Sequence, residues 1–355
     1  MPDSLGFREA IFGLPEQVAA ATRSLNVTGP LPAHQDIANV LVLGTGAAGW
    51  VGDLLAAVAG PTMAVPLVVH KGFEPPSFVD PSTLVVAISA SGDSPETVAA
   101  AATCIEAGGQ LFAVTSGGRL GALADAHEAP TVFLPAAESP IPIPTRTRIG
   151  ALAVPILKAF GGLGFYPGAR DWIGAAVDQL RVRRDELVAD DSAAALVART
   201  IAGTMPVVYG GGALGGVAAT RWKVQLNQSA KTPAWTGEVP DVVHGEIAGW
   251  GQHGDITRQV LSLVLLRHDD EAPGITEQFT SVEAWTDEVM ANILTVRAAG
   301  EGRLAQLLDL ALVGDVVSLL LAEQYGIDPG PTPAIVASPS AAPPEAVPPA
   351  PDEAT

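Results

Sequence analysis

Residues 83–97 read TLVVAISASGDSPET and combine a strand, a turn and the start of a helix. The run Leu84–Ile88 is apolar on both faces, which is typical of a strand buried inside a parallel sheet. Hydroxyl side chains follow as far as Ser94, a residue type preferred at a helix N-cap, and Pro95 suits the first helical position. This stretch therefore predicts one strand–turn–helix unit of an α/β fold.

The same pattern extends to both sides of this unit. Short apolar segments alternate with helical segments from Asn39 to Leu134, and such alternation predicts a doubly wound parallel sheet. The other predicted strands of this half are Asn39–Gly44, Ala64–Val69, Leu111–Val114 and Thr131–Leu134. A helix over residues 146–160 is expected to close it.

The second half repeats this organisation. Strands are predicted at Met205–Gly210, Gln259–Leu266 and Asn292–Arg297, followed by two helices that end at Tyr325. Two glycine-rich turns, LGTGAAGWVG at 43–52 and YGGGALGGVA at 209–218, each follow a strand and open a helix. This similarity indicates an internal duplication. The expected fold class is α/β, with two tandem doubly wound parallel-sheet domains of the flavodoxin-like sandwich type.

Domain boundaries follow from these patterns. Residues 1–35 are expected to form an N-terminal helical segment, 36–165 the first domain and 166–328 the second, joined near residues 161–170. Residues 329–355 are rich in proline and alanine and cannot bury enough apolar surface to offset their ordering entropy. We expect them to form a disordered tail.

Composition limits the classes of function. The chain has 355 residues, with 38 Asp and Glu against 19 Lys and Arg, giving a formal net charge of −19. So acidic a surface repels nucleic acid and anionic membranes, and neither is an expected partner. A single cysteine, Cys104, excludes an internal disulfide. The first residues lack the uninterrupted apolar stretch of a signal peptide, so we expect a cytoplasmic protein.

The first glycine turn, Gly44–Gly49, has the spacing of a dinucleotide-binding fingerprint. That fingerprint needs an acidic residue at the end of the next strand, where it binds the ribose. His70 and Lys71 occupy this place instead. An NAD-dependent oxidoreductase is therefore the weakest interpretation, and the turn is better read as a close approach of backbone to a ligand or a strand. No cluster of metal-ligating residues stands out, so we expect no cofactor and no metal.

The hydroxyl-rich turn is the stronger candidate for chemistry. Ser89, Ser91 and Ser94 lie between the carboxyl end of a strand and the start of a helix. Hydroxyl groups together with helix N-terminal amides suit a phosphate monoester. A single serine here would be explained by helix capping alone, but three together favour a phosphate site.

Four segments resemble one family. SASGDSPET is similar to the S-x-S-G-x-T-x-E-T signature of sugar isomerase (SIS) domains, and TSGGRL at 115–120 resembles the next turn of these domains. RWKVQLNQSAKTPAWTGEVPDVVHGEIAGW at 221–250 and GDVVSLLLAEQYGIDPGP at 314–331 resemble blocks of bifunctional phosphoglucose/phosphomannose isomerases. The resemblance covers roughly residues 10–331. It implies two tandem SIS domains and interconversion of glucose 6-phosphate or mannose 6-phosphate with fructose 6-phosphate.

The resemblance also implies roles for individual residues. The three serines, with Gly46 and Ala47 of the first glycine turn, would bind the phosphate. His244 would open the sugar ring, reaching into the site of the partner subunit in a homodimer. Arg146 would stabilise the enediolate, with Arg148 as the rival. The catalytic base of the family, a glutamate, aligns with Gln228.

Three departures from the family pattern bear on activity. A carboxamide at Gln228 cannot accept a proton at neutral pH, and loss of a general base typically costs roughly 100- to 10,000-fold in rate. Ala48 replaces a phosphate-binding serine, and the C-terminal lysine of the family has no counterpart, since no lysine follows Lys231. Glu238 and Asp241 lie near His244 in sequence, either as substitute bases or as solvated loop charges.

Two functions remain open on these grounds. The first is an aldose–ketose isomerase of hexose 6-phosphates with an altered active site. The second is a non-catalytic hexose-phosphate sensor or regulator that kept the pocket and lost the base. Both predict sugar-phosphate binding, and only the first predicts turnover.

Overall fold

The computed structural model describes residues 3–24, 26–135, 145–330 and 332. Two parallel sheets organise these residues. The first sheet has the strand order β2-β1-β3-β4-β5 and the second has the order β7-β6-β8-β9. Their strands are β1 Asn39–Leu43, β2 Leu67–His70, β3 Thr83–Ser89, β4 Gln110–Thr115, β5 Thr131–Phe133, β6 Met205–Gly211, β7 Trp235–Val239, β8 Leu261–Arg267 and β9 Asn292–Arg297.

Helices connect the strands and cover both faces of each sheet. Their bounds are α1 Phe7–Phe12, α2 Leu14–Ser24, α3 Gly46–Val58, α4 Pro95–Glu106, α5 Gly118–Ala126, α6 Ile149–Leu163, α7 Ala169–Leu187, α8 Ala193–Ile201, α9 Gly212–Gln228, α10 Asp241–Gly245, α11 Gly254–Val260, α12 Pro273–Thr286 and α13 Gly302–Gln324. The predicted class, two tandem doubly wound α/β domains, is confirmed.

The internal duplication is visible in both topology and backbone geometry. The four strands of the second sheet follow the order of the first four strands of the first sheet. Gly46 and Gly212 open the equivalent helices α3 and α9 with φ of +56° and +55°. This left-handed conformation strains residues that carry a Cβ, so both turns require glycine at this point.

Several details differ from the sequence-based expectations, including the bounds of α6, β2 and β8. The edge strand β7 was not predicted, because WTGEV is short, contains a glycine and has no continuous apolar run. The predicted pair of C-terminal helices is one helix, α13, and the predicted N-terminal helix is two, α1 and α2, divided at Gly13. Gly314 lies inside α13, where a Cβ would come within 2.4 Å of the Trp222 ring, so this glycine permits close helix packing.

One apolar core is shared by both halves of the chain. It fills the space between the two sheets and includes residues of α3, α6, α9 and α13, whereas each sheet has a smaller apolar cluster on its outer face. Trp50 of α3 donates its indole N–H to the carbonyl of Val217 in α9 at 2.9 Å. Helix α13 is long and apolar enough to cross a membrane, but 94% of its apolar window is buried within the protein, which makes it a core helix.

A buried ion pair joins α9 to α13. The guanidinium of Arg221 binds the carboxylate of Asp315 through two hydrogen bonds of 2.9 and 2.6 Å, and both side chains are almost fully buried. The Gln225 amide also donates to Asp315, at 3.0 Å. Arg221 also donates to the carbonyl oxygen of Arg146 at 2.9 Å, which connects this ion pair to the chain segment just before α6.

The ends of the described fold lie side by side. The backbone N–H of Ser4 lies 3.4 Å from the carboxylate of Asp328, and Arg8 forms a 2.9 Å ion pair with Glu323. Helix α6 ends at Leu163 and α7 begins at Ala169, inside the segment predicted to join the domains. The domain boundaries themselves stay predictions, and most of the predicted tail, including residues 333–355, lies outside the described residues.

Candidate functional site

The hydroxyl-rich turn brings two of its three serines together. Ser89 is the last residue of β3 and is buried, and its hydroxyl donates to that of Ser94 at 3.0 Å. The backbone N–H groups of Gly92 and Ser94 donate to the Ser89 hydroxyl at 3.1 and 3.4 Å. Ser91 is exposed on the rim, where its oxygen accepts from the N–H of Asp93 at 3.2 Å. The turn is thus folded tightly around Ser89.

Helix α4 begins directly after this turn. Ser94 is its N-cap residue, as predicted, but the Ser94 side chain makes no capping hydrogen bond with the helix backbone. Thr97, one turn further, is buried, and its hydroxyl has no hydrogen-bond partner among the described residues. Hydroxyls that the helix does not use itself are available to a ligand at its positive end.

A neighbouring turn supports the serine turn. Gly92 lies so close to Gly117 that a Cβ would sit 1.8 Å from the Gly117 carbonyl oxygen. The Arg119 backbone N–H donates to the Asp93 carboxylate at 3.1 Å, and the Arg119 guanidinium donates to the Asp93 carbonyl at 2.8 Å. Residues 115–120, singled out by their sequence, therefore hold the serine turn in shape.

The first glycine turn lies at the same edge of the sheet. Strands β1 and β3 are direct neighbours, with Leu43 paired to Ala87, so their carboxyl ends are adjacent. Gly46 and Ala47 begin α3 just beyond β1. Two helix N-termini, those of α3 and α4, thus flank Ser89, which is a favourable electrostatic environment for an anion.

The second domain contributes the end of α9. Helices α3 and α9 run antiparallel, because Trp50 near the start of α3 contacts Arg221 in the middle of α9, whereas Ala57 near the end of α3 lines the same cavity as Ala213 at the start of α9. Gln228, the last residue of α9, therefore lies at the same end of this interface as the start of α3. Gln228 is half-buried, and its side chain makes no hydrogen bond to the described part of the chain.

Arg146 lies beside this helix end. Its guanidinium stacks 3.9 Å from the centre of the Phe7 ring, donates to the Pro329 carbonyl and lies 3.5 Å from the hydroxyl of Ser229, the residue after Gln228. Burial, followed by the charge of Arg221, lowers the pKa of Arg146 to about 10. An arginine with this pKa keeps its positive charge at neutral pH.

The rival arginine points elsewhere. Arg148 donates to the carbonyl of Pro135, just beyond the end of β5, at 2.8 Å. Burial lowers its pKa as well. Of the two arginines, Arg146 has the contacts that place it next to Gln228.

His244 lies far from Gln228 of the same chain. It is exposed on α10, which follows β7 at the carboxyl edge of the second sheet. Gln228 lies at the opposite edge, because α9 runs back along the sheet for 17 residues, about 25 Å. The His244 segment is anchored by Glu246, which accepts a hydrogen bond from the buried Tyr209, while Trp250 donates to the same Tyr209 hydroxyl at 3.0 Å.

Glu238 and Asp241 are also remote from Gln228, and they lie in β7 and α10 rather than in the predicted loop. Glu238 lies against Gly216, about 18 Å along α9 from its end. It borders a cavity of about 440 Å³ between α3, α9 and β7, together with Asp53, Thr220 and other residues. Burial, reinforced by the charge of Asp241, raises the pKa of Glu238. Neither carboxylate is close enough to replace Gln228 within one chain.

Comparison with known proteins adds the family context. The profile of the bacterial phospho-glucose isomerase C-terminal SIS domain matches residues 190–337. The bifunctional phosphoglucose/phosphomannose isomerase of Caldicellulosiruptor bescii is 27% identical over 328 residues, 91% of this chain and 95% of that protein. Its namesake from Aquifex aeolicus is 28% identical over 271 residues, 75% of this chain and 78% of that protein.

A solved structure extends the comparison of the fold. The C-terminal domain of glucosamine-fructose-6-phosphate aminotransferase from Francisella tularensis has a TM-score of 0.69 at 15% identity, covering 91% of this chain and 96% of that one. At this identity the likeness concerns the tandem SIS fold alone.

Proposed function

We propose that this chain, a divergent member of the bifunctional phosphoglucose/phosphomannose isomerase family, binds a hexose 6-phosphate between its two SIS domains. The observation that carries this proposal is the tight serine turn between two helix N-termini. The turn lies at the same end of the domain interface as Gln228 and Arg146. We further propose aldose–ketose isomerisation as the reaction, in the cytoplasm.

The binding and charge-stabilising parts of the proposed reaction have candidate groups, whereas the proton transfer depends on a position that Gln228 occupies. The phosphate accepts hydrogen bonds from Ser91, Ser94 and the backbone of Gly46 and Ala47, and Ser89 shapes the turn through its hydrogen bond to Ser94. Proton transfer between C1 and C2 passes through an enediolate, whose negative charge needs a fixed cation nearby. Arg146 supplies that charge. Gln228 takes the position of the base, where its amide can bind sugar hydroxyls but cannot move a proton.

The ring-opening step requires a second chain. His244 and Gln228 of one chain are separated by the length of α9, so a histidine at this position acts in a different subunit. We therefore propose a homodimer in which each chain supplies His244 to the site of its partner. The exposure of His244 and the buried Tyr209–Glu246 anchor of its segment support this arrangement.

Because the carboxamide of Gln228 cannot act as a base, it favours a second candidate function, a non-catalytic sensor of hexose 6-phosphates. A coupled isomerase assay with glucose 6-phosphate and mannose 6-phosphate, combined with direct binding measurements, tests both candidates. Binding with measurable turnover supports the isomerase, and binding without turnover supports the sensor. Absence of binding contradicts both.

Replacing Ser91 by alanine is expected to weaken hexose 6-phosphate binding by about 1–3 kcal/mol, the range for a hydrogen bond to a charged group. The Ser91 oxygen already accepts from Asp93, which leaves its O–H to donate to the phosphate. Titration calorimetry with glucose 6-phosphate and with free glucose measures the difference. Ser24→Ala, at a remote exposed serine, is the matched control. Equal losses for both ligands would mean that Ser91 does not hold the phosphate.

Mixing two variants tests the sharing of His244 between subunits. With Gln228→Glu as the active reference, a Gln228→Glu/His244→Ala chain is mixed with wild-type chain. Only a heterodimer in which histidine acts across the interface contains one complete site. Random exchange of subunits should give about a quarter of the reference activity. Activity no greater than the sum of the separate proteins would show that His244 does not act in the partner's site.

A further inference from the structure

The two domains contain turns of identical length at equivalent places. In the first domain, β3 ends at Ser89 and α4 begins at Pro95; in the second, β8 ends at Arg267 and α12 begins at Pro273. The strand registers agree, because Leu43 pairs with Ala87 and Tyr209 pairs with Leu265, two residues before the respective strand ends. The segment 267–273 is therefore the structural counterpart of the serine turn.

The counterpart has lost its hydroxyls. Arg267, Asp269 and Ala272 occupy the positions of Ser89, Ser91 and Ser94, and Glu271 occupies that of Asp93. The carboxylate of Glu271 is folded back onto Arg267, with N–O distances of 2.9, 2.9 and 2.6 Å. Both side chains are more than nine-tenths buried.

The other groups around the Glu271 carboxylate are of the kinds that bind anions in proteins. The backbone N–H of His268 donates to Glu271 at 2.9 Å. The second glycine turn also comes close, since a Cβ on Gly211 would lie 2.8 Å from a Glu271 oxygen. His268 holds that turn through a 2.7 Å hydrogen bond from its Nε2 to the Gly211 carbonyl. Helix α9 begins at the next residue.

The other two carboxylates of this turn, those of Asp269 and Asp270, form contacts away from Arg267. Asp269 accepts a hydrogen bond from Gln306 at 3.2 Å, and Asp270 forms an ion pair with Arg303 at 2.5 Å. Arg267, besides its ion pair with Glu271, donates a hydrogen bond to Thr276 at 3.1 Å. The Arg267 guanidinium also lies 4.2 Å from the centre of the Phe279 ring. Glu271 is thus the carboxylate that occupies this anion-binding environment.

We propose that the second domain contains a duplicated phosphate-binding site occupied by its own Glu271. The carboxylate takes the place of an anionic ligand, held by a bidentate arginine, a backbone N–H and a glycine turn before a helix. One chain therefore binds one sugar phosphate, in the first domain. Removal of the Glu271 carboxylate exposes a site for a tetrahedral oxyanion in the second.

Thermal unfolding of Glu271→Ala in inorganic phosphate tests this proposal. Without phosphate the variant leaves Arg267 buried and unpaired, which should lower its unfolding temperature by about 4–8 °C. Phosphate, compared with chloride at equal ionic strength and pH, should restore about 2–4 °C in a saturable manner, beyond any shift of the wild type. If the variant folds only when phosphate is present during refolding, the proposal is also supported.

Two further variants make the result specific. Asp315→Ala removes the carboxylate from another buried ion pair, with Arg221, which lies between the two helices α9 and α13; it should be destabilised without recovery in phosphate. Arg267→Leu/Glu271→Ala should not recover either. Equal recovery of Asp315→Ala and Glu271→Ala, or no recovery of Glu271→Ala in any phosphate condition, overturns the proposal. Failure of the Ser89–Ser94 site would lower the phosphate response of all variants alike, so the two outcomes are distinguishable.

Discussion

Isomerase turnover is expected to rise when Gln228 is replaced by glutamate. The substitution restores a group that accepts a proton at neutral pH, at the end of α9 beside Arg146 and on the side of the interface where the serine turn lies. General acid–base catalysis contributes roughly 100- to 10,000-fold, and the gain should lie at the lower part of this range. Ala48 and the missing C-terminal lysine still limit the rate.

The measurement is the turnover number with glucose 6-phosphate at saturating concentration for wild type and Gln228→Glu. Asn227→Asp is the matched control, because it adds the same charge at the neighbouring exposed position of α9. That control should leave turnover unchanged. A wild type that turns over as fast as its isomerase relatives, and is slowed by Gln228→Glu, would show that the base is elsewhere. The carboxylates of a partner subunit would then be the first to mutate.

The second large effect concerns stability. Asp315→Ala is expected to lower the free energy of unfolding by about 3–5 kcal/mol, because Arg221 would remain buried with its charge unpaired. Gln225 would also lose the acceptor of its amide hydrogen bond. Urea unfolding followed by circular dichroism measures the change.

Two control variants test whether the lower free energy of unfolding comes from the unpaired charge of Arg221. The double variant Arg221→Met/Asp315→Leu removes both charges and should be far less destabilised than Asp315→Ala, since apolar replacement of a buried pair is often neutral. Asp255→Ala breaks the exposed pair with Arg258 and should cost less than about 1 kcal/mol. An Asp315→Ala loss as small as that of Asp255→Ala would show that water reaches and solvates Arg221.

The fold could be predicted because its central strands are buried on both faces. Segments such as Leu84–Ile88 and Leu263–Leu266 are continuous apolar runs, and this pattern has few alternatives. The strand β7 lacks such a run, since a threonine, a glycine and a glutamate separate its two apolar residues, Trp235 and Val239. Only its pairing with β6 makes it a strand, and that pairing is invisible to local sequence.

The site was predictable in part for a similar reason. The hydrogen bond between Ser89 and Ser94 is local and follows from a short turn between a strand and a helix. The surroundings of Arg146 depend on Phe7 and Pro329, which are 139 positions before and 183 positions after it, so no local pattern reports them. The distance of His244 from Gln228 likewise depends on the direction of α9 within the second domain.

The packing of α3 against α9 has a consequence for synthesis of the chain. Trp50 and its partner Val217 are 167 positions apart, so the ribosome completes the first sheet long before the helix that covers α3 exists. Domains that fold during synthesis normally do so from the N-terminus onward. Here the apolar side of the first half stays uncovered until α9, and then α13, emerge. The nascent first half is therefore an incomplete folding unit that is prone to association, and both halves reach their native packing together.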